Sequence, residues 1–271
     1  MSTAPTVKRV LLCRPSYFAV EYIINPHMKP HAVNRAKAEE QWLELVATLE
    51  KLGITVEIIE QHPEVPDMVF ATDQGIVRHG KALLANFRYP QRQKERPYYR
   101  AWFREHGFEL EELSNVFPFE GGDTLFFGDM LMVGTGFRAS VASCEELSKQ
   151  LNIDVFPLRL VDANFYHLDM CFLPLDPETA FYYPPAFSKN SQHLLKRLVP
   201  NLHELSEREA TGYAANSFVS GDHIVVQAGN PTFVKKLAAL GKEVHEVNVD
   251  EFAKAGGGIH CMINTLEIER K

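Results

Sequence analysis

Apolar and polar positions along this chain alternate in short runs bounded by turn residues, and the runs recur at fairly even spacing. Strand character is predicted for 9–13, 56–59, 75–77, 82–85, 124–127 and 130–133. It recurs at 154–157, 170–173, 179–183, 223–226 and 243–247. Tight polar turns split several pairs, as in Phe127-Gly128-Asp129-Met130 and Ser220-Gly221-Asp222-His223, which read as hairpins. Between the strands, 35–52 sets Trp42, Leu45, Val46 and Leu49 on one helical stripe and stops at Gly53. The stretches 143–151, 188–198 and 230–240 follow the same pattern. Hairpin, helix and strand repeat in that order with no linker or low-complexity break. The pattern predicts a single α/β domain over residues 1–271, built from repeated modules.

Composition narrows the function without choosing it. The 271 residues are 45% hydrophobic and 23% charged, ordinary for a globular protein with a sizeable core. A net charge of -7 argues against nucleic acid as a partner, since phosphate binding needs a basic face. The polar stretch 1–8 lacks the pattern of a signal peptide, and the apolar runs fall short of a membrane span. A cytoplasmic protein without membrane contact is expected. Cys13, Cys144, Cys171 and Cys261 form no Cys-x-x-Cys motif, so they read as reduced thiols. No metal site or cofactor is expected.

Chemistry concentrates around a few segments. Cys261 follows Gly256-Gly257-Gly258-Ile259-His260, which suggests a thiol delivered on a shaped loop. Asp67 and Asp73 stand in the apolar stretch Val65-Pro66-Asp67-Met68-Val69-Phe70-Ala71-Thr72-Asp73. Glu120-Gly121-Gly122-Asp123 directly precedes a predicted strand. In Tyr166-His167-Leu168-Asp169, strand spacing would point His167 and Asp169 to one face. Ala214-Ala215-Asn216 forms a small-residue turn before another strand. Singly, each has an ordinary use: Asp67 as a turn residue, His167 as a core histidine partnered by Asp169, Asn216 as a cap. Together they supply a nucleophile, an acid/base, an orienting carboxylate and a cation-binding pocket.

The ordered set Pro-Asp-x-Val-Phe-x-x-Asp, Glu-Gly-Gly-Asp, His-Leu-Asp, Ala-Ala-Asn and a Gly-rich cysteine resembles the guanidino-modifying enzymes. These include arginine deiminases, dimethylarginine dimethylaminohydrolases, arginine dihydrolases and amidinotransferases. The resemblance runs from about Asn25 to Cys261. It implies a five-bladed α/β propeller of ββαβ modules with the site at its centre. It further implies Cys261 as nucleophile, His167 as general acid/base and Glu120 as the carboxylate orienting His167. Asp73 and Asp169 would grip a guanidinium, with Phe70 beside them in the same motif. Arg138 and Arg92 would meet the substrate carboxylate, and Asn25 would line the entrance.

His-Leu-Asp resembles the deiminases and dihydrolases, because dimethylarginine hydrolases more often carry Lys at the position of Asp169. The dihydrolases tend to have Asn where this chain has Asp73. The chain's compact length resembles the dimethylarginine hydrolases. The expected reaction is hydrolysis of an arginine-type guanidine to citrulline and ammonia or an amine. Ornithine formation, amidino transfer and a non-catalytic binding propeller are the alternatives, and a homo-oligomer stays open.

Overall fold

The computed structural model describes residues 4–114 and 117–269. In chain order β1 (Val7–Cys13), α1 (Arg35–Lys51) and β2 (Thr55–Ile59) come first. Then follow β3 (Gly75–Arg78), β4 (Lys81–Leu84), α2 (Arg96–Glu105) and β5 (Glu109–Glu112). The next module is β6 (Thr124–Phe127), β7 (Met130–Thr135), α3 (Val141–Leu151) and β8 (Val155–Arg159). After it come β9 (Phe172–Pro174), β10 (Thr179–Tyr182), α4 (Lys189–Leu198) and β11 (Asn201–Glu204). The last elements are β12 (Phe218–Ser220), β13 (His223–Gln227), α5 (Pro231–Ala239), β14 (Glu243–Val247), α6 (Ile259–Met262) and β15 (Asn264–Ile268).

These strands make five three-stranded sheets among the described residues. In each, two strands pair antiparallel and a helical crossover returns a third strand parallel to the middle one, as in β3–β4–β5. The predicted hairpin turns close with Phe127 opposite Met130 and Ser220 opposite His223. The module is therefore ββαβ, repeated five times, and the molecule is the five-bladed α/β propeller that the resemblance implied. One blade is assembled from both ends of the chain. In it β15 pairs antiparallel with β1, and β1 pairs parallel with β2.

Local physics explains the elements. Asn34 caps α1 by accepting from the Lys37 amide, and Ala38, Trp42, Leu45 and Leu49 are its buried stripe. Burying each of the three large side chains stabilises the fold by about 1.5–3 kcal/mol. The outer strands β5 and β11 had no expectation behind them. Both are edge strands exposed at their two ends, so they lack an apolar run, and ladder hydrogen bonds to β4 and β10 hold them. Helix α2 likewise escaped the periodic reading, yet it buries Tyr99, Trp102 and Phe103. No helix among the described residues is long and apolar enough to cross a membrane.

Candidate active site

Each blade begins with a short turn just ahead of its first strand, and those turns carry the candidate residues. Asp73 lies in the 3-10 turn Ala71–Gln74 before β3, and Glu120 directly precedes the turn Gly121–Asp123 before β6. His167 precedes the turn Leu168–Met170 that holds Asp169 before β9. Asn216 stands before β12, and Cys261 sits in α6 before β15. The turn at Ala71–Gln74 packs on Gly121–Asp123 and on α6, and Gly121–Asp123 packs on Leu168–Met170. Pseudo-symmetry thus brings residues remote in sequence to one hub.

One local expectation is corrected. His167 and Asp169 do not share a strand face, because a 3-10 turn occupies Leu168–Met170 and β9 starts only at Phe172. The turn still directs both side chains to the hub, where His167 and Asp169 are each 1% exposed. Close backbone approach makes this arrangement possible. A Cβ on Gly122 would lie 2.6 Å from Asp73 Oδ1 and 2.7 Å from His167 Nδ1. A Cβ on Gly257 would lie 2.3 Å from Phe70 Cε1, so the Gly-rich loop does carry the thiol past an aromatic wall.

The Cys261 thiol donates to Asp169 Oδ2 at 3.2 Å and receives the Asn216 Nδ2 donor at 3.1 Å. Asn216 Oδ1 also accepts from the Cys261 amide at 3.2 Å, so one side chain fixes both backbone and sulfur. Burial pushes the Cys261 thiol well above its ordinary range, and the carboxylates of Asp169 and Asp73 push it further. His260 Nδ1 lies 2.9 Å from Asp169 Oδ2 and is the partly exposed member of the group. Neither Asn216 nor His260 stood out as a functional side chain by type. Asn216 was marked by the Ala-Ala-Asn motif without a role, and His260 only by its position next to the thiol.

A second chain of contacts runs behind the first. His167 Nε2 meets Glu120 Oε2 at 2.9 Å, and Arg138 Nη1 donates to the same oxygen at 2.9 Å. Arg138 also donates to the Ile24 carbonyl and lies over the rings of Tyr89 and Tyr166. Burial disfavours the imidazolium, but Asp73, Asp123 and Glu120 outweigh it and hold the His167 pKa up at about 9. Burial also disfavours the Glu120 carboxylate, which Arg138 and His167 nevertheless keep below the ordinary carboxylate range. Arg92 donates to Glu95 through Nε and Nη2, to Asp73 through Nη1 and to the Asp67 carbonyl. Arg92 thus sits inside the carboxylate cluster, with Phe70 and Phe87 near its guanidinium.

Carboxyl groups outnumber cationic side chains at the hub. Asp67, Asp73, Glu95, Glu120, Asp123 and Asp169 are buried there with Arg92, Arg138 and His167. Asp73 Oδ1, Asp169 Oδ1, His167 Nδ1 and both oxygens of Asp123 are buried without a hydrogen-bond partner. Burial accordingly drives the Asp123 carboxyl well up toward its neutral form. The segment 14–34 covers this cluster. Tyr22 donates to Asp67 Oδ2, Asn25 reaches Tyr166 and the Ala255 carbonyl, and Ile24 binds Arg138. Asn25 is thus in the cover, and the thiol beneath is 2% exposed. Ligand atoms of Asp73, Glu120 and His167 lie within 4.8 Å of one another, close enough to share a cation. Arg92 and Arg138 already pair with those two carboxylates.

A buried thiol among carboxyl groups that outnumber the cationic side chains, at the hub of five ββαβ blades, points to the guanidino-modifying class. The family profile of eukaryotic N,N dimethylarginine dimethylhydrolases matches residues 14–268, and the chain belongs to that family. A bifunctional arginine dihydrolase/ornithine cyclodeaminase, ArgZ of Synechocystis, is 38% identical over 261 residues. That alignment covers 94% of this chain but 37% of the cyanobacterial protein. The N(G),N(G)-dimethylarginine dimethylaminohydrolase of Mycobacterium tuberculosis is 35% identical over 265 residues, covering 97% of this chain and 87% of that one. The crystal structure of the N-terminal domain of ArgZ bound to product superposes with a TM-score of 0.93 at 37% identity. It covers 97% of this chain and 98% of that domain.

Proposed function

We propose that this protein is a cysteine-dependent hydrolase that cleaves a C–N bond in the guanidinium of arginine or an N-substituted arginine. The products are citrulline and ammonia or an amine. The observation that carries the reading is the Cys261 thiol bonded to Asp169, beside a buried Asp169 oxygen without a hydrogen-bond partner and an Asp73 oxygen that His167 Nδ1 approaches to 3.5 Å without a hydrogen bond. A planar, permanently charged guanidinium supplies what those oxygens lack. Residues 1–271 act in this reading as one catalytic unit, supported by the blade that joins both chain ends.

The cation also resolves the chemistry of the thiol. Its charge beside Cys261 offsets the carboxylates that hold the proton on sulfur, so on binding the sulfur releases that proton to solvent and regains it once product has left, and substrate generates its own nucleophile. Asp73 and Asp169 keep the guanidinium carbon in line with sulfur. The thiolate attacks that carbon, and the C–N bond to the departing nitrogen breaks as His167 donates its proton. An S-alkylthiouronium remains. His167 then takes a proton from water, hydroxide adds to the same carbon, and the C–S bond breaks to release the ureido product and the thiolate. Glu120 orients His167 and keeps it charged before transfer. Arg92 frames Asp73, while Arg138, with Glu120 as its charged partner, is assigned to the substrate carboxylate. Phe70 and Asn25 form wall and cover. No cofactor takes part in these steps.

A second reading, continued hydrolysis to ornithine, draws support from the dihydrolase ArgZ. Incubating the enzyme with arginine and with methylated arginines, and resolving citrulline, ornithine and released amine by mass, separates the readings. Release of none of these from any of the substrates would exclude both. Amidino transfer would instead need an added acceptor amine such as glycine.

A further inference from the structure

A second cluster of donor atoms lies on the blade formed by β12, β13 and β14. Strands β13 and β14 run parallel with His223 opposite Glu243 and Val225 opposite His245. Glu243 and His245 are two apart on one strand and therefore share a face. His223 Nδ1 lies 3.2 Å from His245 Nε2 and 3.4 Å from Glu243 Oε2, while His245 Nε2 lies 3.8 Å from Glu243 Oε1. A tetrahedral zinc ion with bonds of about 2.0–2.2 Å holds neighbouring ligand atoms about 3.3 Å apart. The three donors already stand near that spacing on a paired-strand scaffold that limits their drift.

The surroundings suit an ion with an open position. The three residues line a surface hollow of about 540 Å³ together with Thr48, Lys51 and Glu246. His223 is 40% and His245 24% exposed, so a hydrated ion reaches them without unfolding the blade. The direct contacts among the three side chains, one between the imidazoles and two to the Glu243 carboxylate, lie at partly exposed positions where each contributes little. Two imidazoles and one carboxylate match the donor preference of zinc and its neighbours among the divalent transition metals.

We propose that His223, Glu243 and His245 form a binding site for one divalent transition-metal ion of the zinc type, with a fourth position open to the hollow. The ion clamps β13 to β14 and lies outside the catalytic hub. Because the site exists only in the folded sheet, metal binding raises the melting temperature.

The test uses tag-free Cys261→Ser protein, which removes the hub thiol as a competing ligand. Zn2+ alone is titrated against a chromogenic chelator, and melting is followed with and without the ion. One equivalent of Zn2+ is expected to bind with a rise in melting temperature. Cys261→Ser/His245→Ala and Cys261→Ser/His223→Gln should each bind at least tenfold more weakly and lose the rise, while Cys261→Ser/His27→Ala, which removes an imidazole outside the cluster that contacts the Asn164 carbonyl, should keep both. Circular dichroism confirms that each variant is folded, and having two independent variants guards against failure of one. Unchanged affinity in a folded variant of the cluster, or no saturable binding to the Cys261→Ser protein, overturns the proposal.

Discussion

The Cys261 thiol donates to the Asp169 carboxylate at 3.2 Å, a pairing in which the negative charge keeps the proton on sulfur. Burial and the nearby charges of Asp169 and Asp73 act in the same direction, so the resting thiol is a poor nucleophile. This relationship predicts how the thiol responds to a ligand. A non-reactive guanidino compound should lower the pH at which ultraviolet thiolate absorbance develops. The Cys261→Ser protein, which keeps the other three cysteines, should show no such shift. An identical titration with and without the ligand would contradict substrate-assisted activation.

Cys261→Ser should reduce turnover to background, and His167→Ala should lower kcat by at least about 100-fold, the lower bound for a general acid/base. Both proteins should keep a native circular dichroism spectrum. Amine or ammonia release near the parent rate in either variant would sink the assignment.

Asn216 bonds to both the amide and the sulfur of Cys261. Asn216→Ala removes one hydrogen bond to a sulfur that becomes charged in the proposed reaction, an interaction of about 1.5–3 kcal/mol. Steady-state kinetics should therefore give kcat/KM about 10- to 100-fold lower. The parent value would reduce Asn216 to a turn residue.

Gly122→Ala inserts a methyl group where Asp73 Oδ1 and His167 Nδ1 now stand. A displacement of about 1 Å at a catalytic group costs on the order of 100-fold in rate. The variant should lose activity on that scale in initial-rate assays while β6 and β7 remain paired. Full activity would show that Asp73 or His167 can shift without consequence.

The pH response follows from His167. Its pKa in the fold, about 9, exceeds the unfolded value of about 6.5, so its contribution to stability is complete below about 6.5. That contribution is lost as pH rises through about 9. Melting temperature should fall over this window, and less steeply in His167→Ala. Glu120→Gln removes one of the charges that raise this pKa and should move the alkaline limb of the kcat profile to lower pH. An unmoved limb would mean that another group sets it.

The repeating module was legible because four helices carry clear apolar stripes and two hairpins have two-residue polar turns. The outer strands β5 and β11 were not, since Glu109–Glu112 and Asn201–Glu204 lie at sheet edges where no burial pattern forms. The site was legible as a set of motifs, while its geometry was not. Strand spacing assigned His167 and Asp169 to one face, whereas tertiary packing bends them through a 3-10 turn. Asp123 passed as the end of a motif, and the lack of a hydrogen-bond partner for its two carboxyl oxygens emerges only when blades from distant sequence close over it. Arg92 presents the same limit. Its bonds to Glu95 and Asp73 depend on a short helical turn at Pro90–Gln93 that no periodicity announces.

The pairing of β15 with β1 has a consequence in time as well as in space. During synthesis, β1 to β14 leave the ribosome before the segment that carries Cys261, and domains generally fold as units from the N-terminal side. A nascent chain at that stage has four blades, all six hub carboxyl groups and His167, but not the Cys261 sulfur. The strand that completes the ring follows directly behind the proposed nucleophile, so in the proposed mechanism closing the blade and arming the enzyme are one molecular event.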